Sequence, residues 1–526
     1  MTDCFEKTVP STSPLEELCS LEDIFHRHLL PFLSQREVGH LEASSRTLKQ
    51  VFQGHGGMAW KILVERDFDL ATAHTAHTAS TAEDRLAPRL VSNQWQTSTM
   101  ALRPHETWKL TYKSWAIWQD LTAGAAEAQH FVQADRIWNR LLHVLESLEM
   151  HHVLQSLQGH PPLRTLRSLG RSQMFPSSLL ALYSICGGQA LLQPRSPDHD
   201  FFAGLMGSYA CYDQYYSMRL FNVDVMGGTA LASRASDDIW VSIGISPGQP
   251  RMFLYVHVTP DDPQGEIVMV HSYPVSQNNI HDLHHPVVGR GGVLSYLETY
   301  VQRLESGFYK STLIVPEAPT SRGIGLFPDA NLPRSEVLES SRTSNSSNSN
   351  SHDGLPMMSC CTTRGIQVRA SCRWFPGGTV DQQDDGLNFG YCIRIQMVPS
   401  NDGKTHQEST YQLVGRHWEF MDGNGRIRRV DGDGVIGKQP KLFLDSNGNP
   451  GYEDLGPAGE GDRRTNSVFI YQSQSGPVQG TSVSDTKAAC VSGTFSFMPG
   501  SIANPTGPIF HVVVGKFPLA VTFPFY

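Results

Sequence analysis

No run of about 18 consecutive apolar residues occurs in the 526 residues, so no membrane-crossing helix is expected. Nor is there an excess of basic charge: 42 Lys and Arg stand against 51 Asp and Glu, a net of -9. Nucleic acid held through its phosphates calls for the opposite balance, so that class of partner is not expected. The nine cysteines, Cys4, Cys19, Cys186, Cys211, Cys360, Cys361, Cys372, Cys392 and Cys490, are scattered, odd in number and without a CxxC pair. A reduced intracellular chain, in cytosol or nucleus, is the simplest account. The amino-terminal stretch MTDCFEKTVPSTSPLEEL carries acids and no long apolar core, unlike a secretory leader. An HExxH zinc motif, a nucleophile elbow and a Walker loop are not found, and scattered carboxylates cannot be paired into an acid/base set. The expectation is a chain that is not an enzyme and carries no cofactor or metal.

What the sequence does contain is organised around residues 21–63, LEDIFHRHLLPFLSQREVGHLEASSRTLKQVFQGHGGMAWKIL. Ile24, Phe25, Leu29, Phe32 and Leu33 recur three to four apart, Val38 and Leu41 open a second helix, and Leu48, Val51 and Trp60 complete the set. A segment below about 50 residues with this many large apolar groups needs a partner to cover one face. Pro31 falls where the first helix should still be running and is expected to end or kink it. At 526 residues the chain should hold three or four domains. Residues 71–82, ATAHTAHTASTA, read as a flexible insertion, and helical periodicity returns from Thr107 to Leu154.

A mixed segment follows. Phe175 to Tyr183 reads as a helix stopped by Gly187-Gly188-Gln189, strands are expected at Trp240–Ile245, Met252–Val258 and Glu266–Val270, and a closing helix runs from Val293 to Leu304. Together these give an α+β domain. His281, Asp282, His284 and His285 could ligate zinc if helical, but Pro286 and Gln277-Asn278-Asn279 make the segment a loop of solvated polar residues. The Ser/Asn-rich stretch between 334 and 353 reads as a disordered linker. From Thr362 onward, runs such as GIQVRASC and YCIRIQM alternate apolar with polar residues, and many short strands between Gly, Asn, Asp and Pro turns imply a two-sheet antiparallel sandwich.

Two stretches of the sandwich tempt a ligand reading. Gly432-Asp433-Gly434-Val435-Ile436-Gly437 satisfies GxGxxG, whose amides could approach an anion with Lys438 helping; Lys438-Gln439-Pro440 blocks the helix that a dinucleotide site needs. An anion loop of Gly432, Gly434, Gly437 and Lys438 therefore stands beside a purely structural turn. Asp445, Asn447 and Asn449 begin like a calcium loop, but Pro450 and Gly456 occupy the positions that require Gly and a bidentate Glu.

Three resemblances follow from these motifs. Ile24-Phe25, Leu33 before Ser34-Gln35-Arg36-Glu37-Val38, Ser45-Arg46 and Trp60-Lys61 resemble the F-box, the module that docks on the Skp adaptor of cullin ubiquitin ligases. The Phe175–Tyr183 helix, the Gly188-Gln189 turn, Gly204-Leu205-Met206-Gly207-Ser208 and the late helix resemble the SUKH (Smi/Knr-like) superfamily. TTRGIQVRASC, GRHWEFMDGNG, VDGDGVIGKQP, SGTFSFMPG and FHVVVGKFPLAV resemble ApaG, a fibronectin-III-like sandwich. The order resembles a eukaryotic F-box family with an animal and a plant branch. The expected architecture is multidomain: 15–66 F-box, 67–106 insertion, 107–160 helical linker, 161–316 SUKH-like α+β domain, 317–361 disordered linker and 362–526 all-β ApaG domain. The resemblance implies a substrate-recognition subunit. Ile24, Phe25, Leu29, Pro31, Phe32, Leu33, Glu37, Val38 and Trp60 would meet Skp, and through it cullin, while the later domains capture an unknown target protein. A phosphate or small-molecule sensor and a scaffold outside any ligase are the alternatives.

Overall fold

The structure is a computed structural model that describes residues 37, 38, 40, 43, 62 and 63, most of 128–190, and then 201–212, 214–223, 231–232, 238–246, 252–271, 287–329, 358–374, 387–398, 410–455, 461–465, 467–481 and 489–519. It divides into two compact units. One comprises Met1–Leu142 and Leu157–Gly188, the other His143–Ser156 and Gln189–Tyr526. Among the described residues no helix is long and apolar enough to cross a membrane.

Of the expected Skp-facing residues, Ile24, Phe25, Leu29, Pro31, Phe32, Leu33 and Trp60 lie outside the described residues, while Glu37 and Val38 share a helical segment. Glu37 is exposed, whereas Val38 is 0% exposed. Val38 is therefore covered within this chain. Helix α1, Ala128–Ser147, buries Phe131, Ala134, Ile137, Trp138, Leu141, Leu142, Val144 and Leu145, a stripe at the three-to-four spacing of one helical face. A short helix α2 spans His151–Ser156. Helix α3, Ser177–Ile185, starts after Pro176, whose missing N–H costs nothing there, and stops where Cys186 turns extended. Its end is tied to the first unit: Gly187 N–H donates to the Gly159 carbonyl (3.0 Å) and Gln158 N–H to the Gly188 carbonyl (2.8 Å). The sequence placed this helix at the start of the α+β domain; these bonds put it with the residues before it.

The second unit begins with two small sheets. Strands β1 (Ser208–Cys211), β2 (Gln214–Ser217), β3 (Arg219–Leu220), β4 (Leu231–Ala232), β5 (Ile239–Ser246), β6 (Met252–Val258), β7 (Glu266–His271) and β8 (Val287–Gly289) precede helix α4 (Gly292–Glu305), and β9 (Lys310–Leu313) and β10 (Arg322–Gly325) follow it. The order β3-β5-β6-β7-β8, with β4 beside β5, makes one sheet, and β2-β1-β10-β9 makes the other. Helix α4 lays Val293, Leu294, Tyr296, Leu297, Tyr300, Val301 and Leu304 inward, each worth about 1.5–3 kcal/mol of burial. The expected linker 317–361 is corrected at both ends, because Arg322–Gly325 is a strand and Met358 onward enters the sandwich. The Gly-rich stretch is a strand through its pairing with β9 and β1, and its glycines are there because neighbours press on it. A Cβ at Gly325 would sit 2.4 Å from Thr312 Cγ2, and one at Gly323 2.8 Å from the Phe202 carbonyl oxygen.

The sandwich comprises β11 (Met358–Thr363), β12 (Ile366–Trp374), β13 (Leu387–Met397), β14 (Thr410–Met421), β15 (Ile427–Asp433), β16 (Lys441–Leu444), β17 (Pro450–Leu455), β18 (Gly461–Thr465), β19 (Phe469–Val478), β20 (Cys490–Pro499) and β21 (Phe510–Pro518). One sheet runs β11-β12-β13-β19; the other runs β18-β17-β16-β14-β20-β21, with β15 also on β14. All these pairings are antiparallel. Ile366, Val368, Ala370, Ile393, Ile395, Leu413, Trp418, Phe495, Phe497, Val512 and Phe517 fill the space between the sheets. Strand β14 runs unbroken from Thr410 to Met421 through a register shift between Leu413 and Gly415.

Candidate functional site

A buried glutamine organises the segment that carried the second resemblance. Gln189 is 1% exposed and makes four side-chain bonds. Its amide nitrogen donates to Ser156 Oγ (2.7 Å) and the Ala203 carbonyl (2.8 Å), and its oxygen accepts from the N–H groups of Leu205 (2.9 Å) and Leu220 (3.1 Å). Tyr300 Oη donates to the Leu205 carbonyl at 2.8 Å, so the Gly204–Ser208 turn is fixed from both sides. These residues serve architecture: their polar atoms face one another.

The α+β region and the sandwich meet through three arginines. Arg369 and Arg373 on β12 and Arg394 on β13 point away from the sandwich core, yet they are 6%, 6% and 5% exposed, because Leu326–Asp329 lies across them. Arg394 donates to the carbonyls of Pro328 (3.1 Å) and Phe327 (3.2 Å), and Arg373 donates to that of Leu326 (3.0 Å). Asp329 sits 3.1 Å from Arg369 and 3.4 Å from Arg394. Arg373 also covers the Tyr209 ring at 5.0 Å. Outlying contacts run from Gln472 to the Ile314 carbonyl (3.2 Å), Arg464 to that of Pro316 (3.1 Å) and Tyr212 Oη to Ser473 Oγ (2.8 Å). A gap of about 10 Å³ between Tyr209, Phe327, Cys392 and Arg394 has room for about one water and no organic ligand. Guanidinium suits this role: its fork satisfies several carbonyls at once and it is weakly hydrated, so it is the cation least costly to cover.

The glycine loop does not present an anion site. Lys438 Nζ lies 2.8 Å from Glu317 and 2.9 Å from Asp454. Burial works to lower the Lys438 pKa, but the bonds and charges of Glu317 and Asp454 outweigh it and hold the ammonium above its ordinary range. A phosphate entering here would meet two carboxylates. Three of the loop amides are taken as well: Val435 and Lys438 exchange bonds of 2.9 and 2.8 Å, and Gly434 N–H donates to the Val414 carbonyl at 2.8 Å. Ile436 and Gly437, at φ 44 and 76, form the tip of a mirror-type turn. Gly432, at the end of β15, lies under the Arg416 guanidinium, which donates to the Gly434 carbonyl at 2.7 Å.

Other sequence motifs also resolve into local structure. Asp445 Oδ1 accepts from the N–H groups of Asn447 and Asn449, both at 2.8 Å, and these bonds hold its pKa below the usual carboxylate range. Asp422 binds Asn424 and Arg426 in the same way, so both are hairpin turns. Cys360 and Cys361 are successive residues of β11 and point to opposite faces. His281, Asp282, His284 and His285 lie outside the described residues. Gly244-Ile245-Ser246-Pro247-Gly248 spells GxSxG, but Ser246 ends β5, is 0% exposed and accepts the Ser217 N–H at 3.0 Å. It is no nucleophile elbow.

The open face of the larger sandwich sheet carries a row that sequence reasoning missed. Asp431 on β15 accepts from His417 Nδ1 on β14 at 2.9 Å. His417 Nε2 lies 3.1 Å from Ser496 Oγ on β20, and Ser496 Oγ lies 3.2 Å from His511 Nδ1 on β21. The only sequence signal was parity: His511 sits between the inward Phe510 and Val512, and His417 directly precedes the inward Trp418. Among the described residues no group of three or more His, Cys, Asp and Glu is placed to hold a metal ion.

Comparison with known proteins sharpens this picture. The chain is similar to "F-box protein SKIP16" of Arabidopsis thaliana, 26% identical over 362 residues that cover 64% of this chain and 67% of the plant protein. It is 47% identical to "Protein ApaG" of Stenotrophomonas maltophilia over 60 residues, which are 11% of this chain and 41% of the bacterial protein. Of the putative ApaA protein from Bordetella pertussis, whose structure is solved, it covers 92%, with 30% of this chain, 23% identity and a TM-score of 0.20. The ApaG domain family model matches residues 379–447, so the carboxy-terminal sandwich of this chain contains an ApaG domain.

Proposed function

We propose that the chain is the substrate-recognition subunit of a Skp–cullin–F-box ubiquitin ligase, acting without catalytic residues of its own in cytosol or nucleus. Similarity to a plant F-box protein over 64% of the chain carries this reading. The amino-terminal module would dock on the Skp adaptor through Ile24, Phe25, Leu29, Pro31, Phe32, Leu33, Glu37, Val38 and Trp60, where desolvated apolar anchors provide most of the affinity. The α+β region, read as SUKH-like, and the ApaG sandwich would together hold a target protein near the charged ubiquitin enzyme, raising its effective concentration. The arginine clamp supports that role, since a target spanning both domains needs them in fixed register. The test is a pull-down of the full chain with purified Skp adaptor and cullin beside an Ile24→Asp, Leu33→Asp double variant. Binding by the intact chain that the double change abolishes supports the assignment; no binding by the intact chain overturns it and leaves a scaffold outside the ligase.

A further inference from the structure

We propose that His417 and His511 form a surface site for a divalent transition-metal ion such as zinc, with Asp431 holding the first imidazole in place and Ser496 between the two. The two rings belong to β14 and β21, with β20 between them, and Ser496 pairs directly with His511 while Thr494 pairs with His417. Both side chains lean over the central strand, so that His417 Nε2 and His511 Nδ1 converge on one atom, Ser496 Oγ, at 3.1 and 3.2 Å. Their ring centres are 5.6 Å apart at 79°. An ion held at the roughly 2.0–2.1 Å of a zinc–imidazole bond lies about 3.2 Å from each ring centre, so two rings sharing it have centres about 5–6 Å apart. The observed spacing matches.

The Asp431 carboxylate fixes the first imidazole from its far side. Asp431 can only accept, so the proton sits on His417 Nδ1 and the lone pair on Nε2, which faces Ser496 Oγ on the side of the His511 ring. A carboxylate on the far nitrogen is the arrangement that fixes tautomer and ring orientation of metal-ligating histidines. The same row could be read as an Asp-His-Ser nucleophile set, since 2.9 and 3.1 Å are the distances that chemistry requires. The exposure runs the wrong way for that: Asp431 is 70% exposed and His417 48%, while Ser496, which would have to attack, is 6% exposed under the rings. Two nitrogen donors leave open positions on the ion, so binding is exchangeable, and water or a donor from a bound protein completes the shell.

The experiment is histidine footprinting of the full chain with diethyl pyrocarbonate, read peptide by peptide by mass spectrometry across a zinc titration. Peptide resolution separates His417 and His511 from the histidines of residues 71–82 and 281–285. The expected result is protection of both side chains with one common midpoint, loss of His417 protection in His511→Gln, and a midpoint about 10- to 100-fold higher in Asp431→Asn. Circular dichroism checks that each variant keeps its fold. Absence of protection up to millimolar zinc, or protection of each histidine that survives loss of the other, overturns the site.

Discussion

The sharpest consequence of the clamp concerns Asp329. Removing its side chain in Asp329→Ala leaves Arg369 and Arg394 buried without the carboxylate at 3.1 and 3.4 Å. Breaking a buried pair by deleting one partner costs about 3–5 kcal/mol, because the orphaned charge keeps its desolvation penalty. At about 1.4 kcal/mol per tenfold, the population in which the two domains part rises by about two to three and a half powers of ten. A native thiol reports that opening. Cys392 is buried and lines the gap between the domains, and burial raises its pKa, so it reacts only when the interface opens. The measurement is the alkylation rate of Cys392, resolved by mass spectrometry. Glu317→Ala is the internal control, since the Lys438–Glu317 pair is half exposed and worth at most about 1 kcal/mol. Acceleration below about tenfold in Asp329→Ala, or an equal effect in the control, would refute the claim that the buried arginines hold the domains together.

Lys310 is expected to behave in the opposite sense. Burial and the nearby Arg369 and Arg394 hold its pKa below the ordinary lysine value, with Asp329 opposing them, so the charged form is a net burden on the fold. Lys310→Met should raise the urea midpoint at pH 7 by less than about 1 kcal/mol equivalent, given its partial exposure. The advantage should vanish as the pH climbs through the lowered value toward the ordinary one, where wild-type Lys310 loses its proton; an advantage independent of pH would rule out the charge as its cause. Gly434→Val should destabilise the sandwich while leaving phosphate affinity unchanged and negligible, because its Cβ would lie 2.3 Å from the Lys438 carbonyl oxygen at φ +56. Calorimetry that detected phosphate binding to the wild type would reverse that conclusion. Gln189→Leu strands the Leu205 and Leu220 N–H groups and should cost about 2–5 kcal/mol in urea unfolding; a loss under about 1 kcal/mol would mean that water replaces the amide.

Much of the fold could be read from residue order because alternation and period are local. The strand at 252–258 and the helix around 293–304 announce themselves through side-chain spacing over a full element. The strands of two to four residues, β1 to β4, β8, β9 and β16 among them, are too short to show a period, and β10, equally short, was hidden further by the glycines and serine around it. The clamp illustrates a deeper limit. Gln367, Arg369, Ser371 and Arg373 occupy the polar half of an alternating strand, and alternation says which side they face without saying what lies there. Water was the natural guess, and a neighbouring domain is the answer. Likewise the glycine loop was legible as a turn but not as a contact of Lys438 with Glu317, 121 positions away. The histidine row escaped because its four members come from four strands, and only the register brings them together.

The arginine clamp also bears on how this chain can be dissected. A fragment beginning at Met358 would lose Leu326–Asp329 and turn a sealed internal seam into an open cationic surface of Arg369, Arg373 and Arg394. Such a surface would adsorb nucleic acid and acidic proteins through charge alone, in a salt-dependent way. Partners captured with the isolated sandwich would then report the wound left by the cut, and a search for physiological targets belongs with both domains kept in one piece.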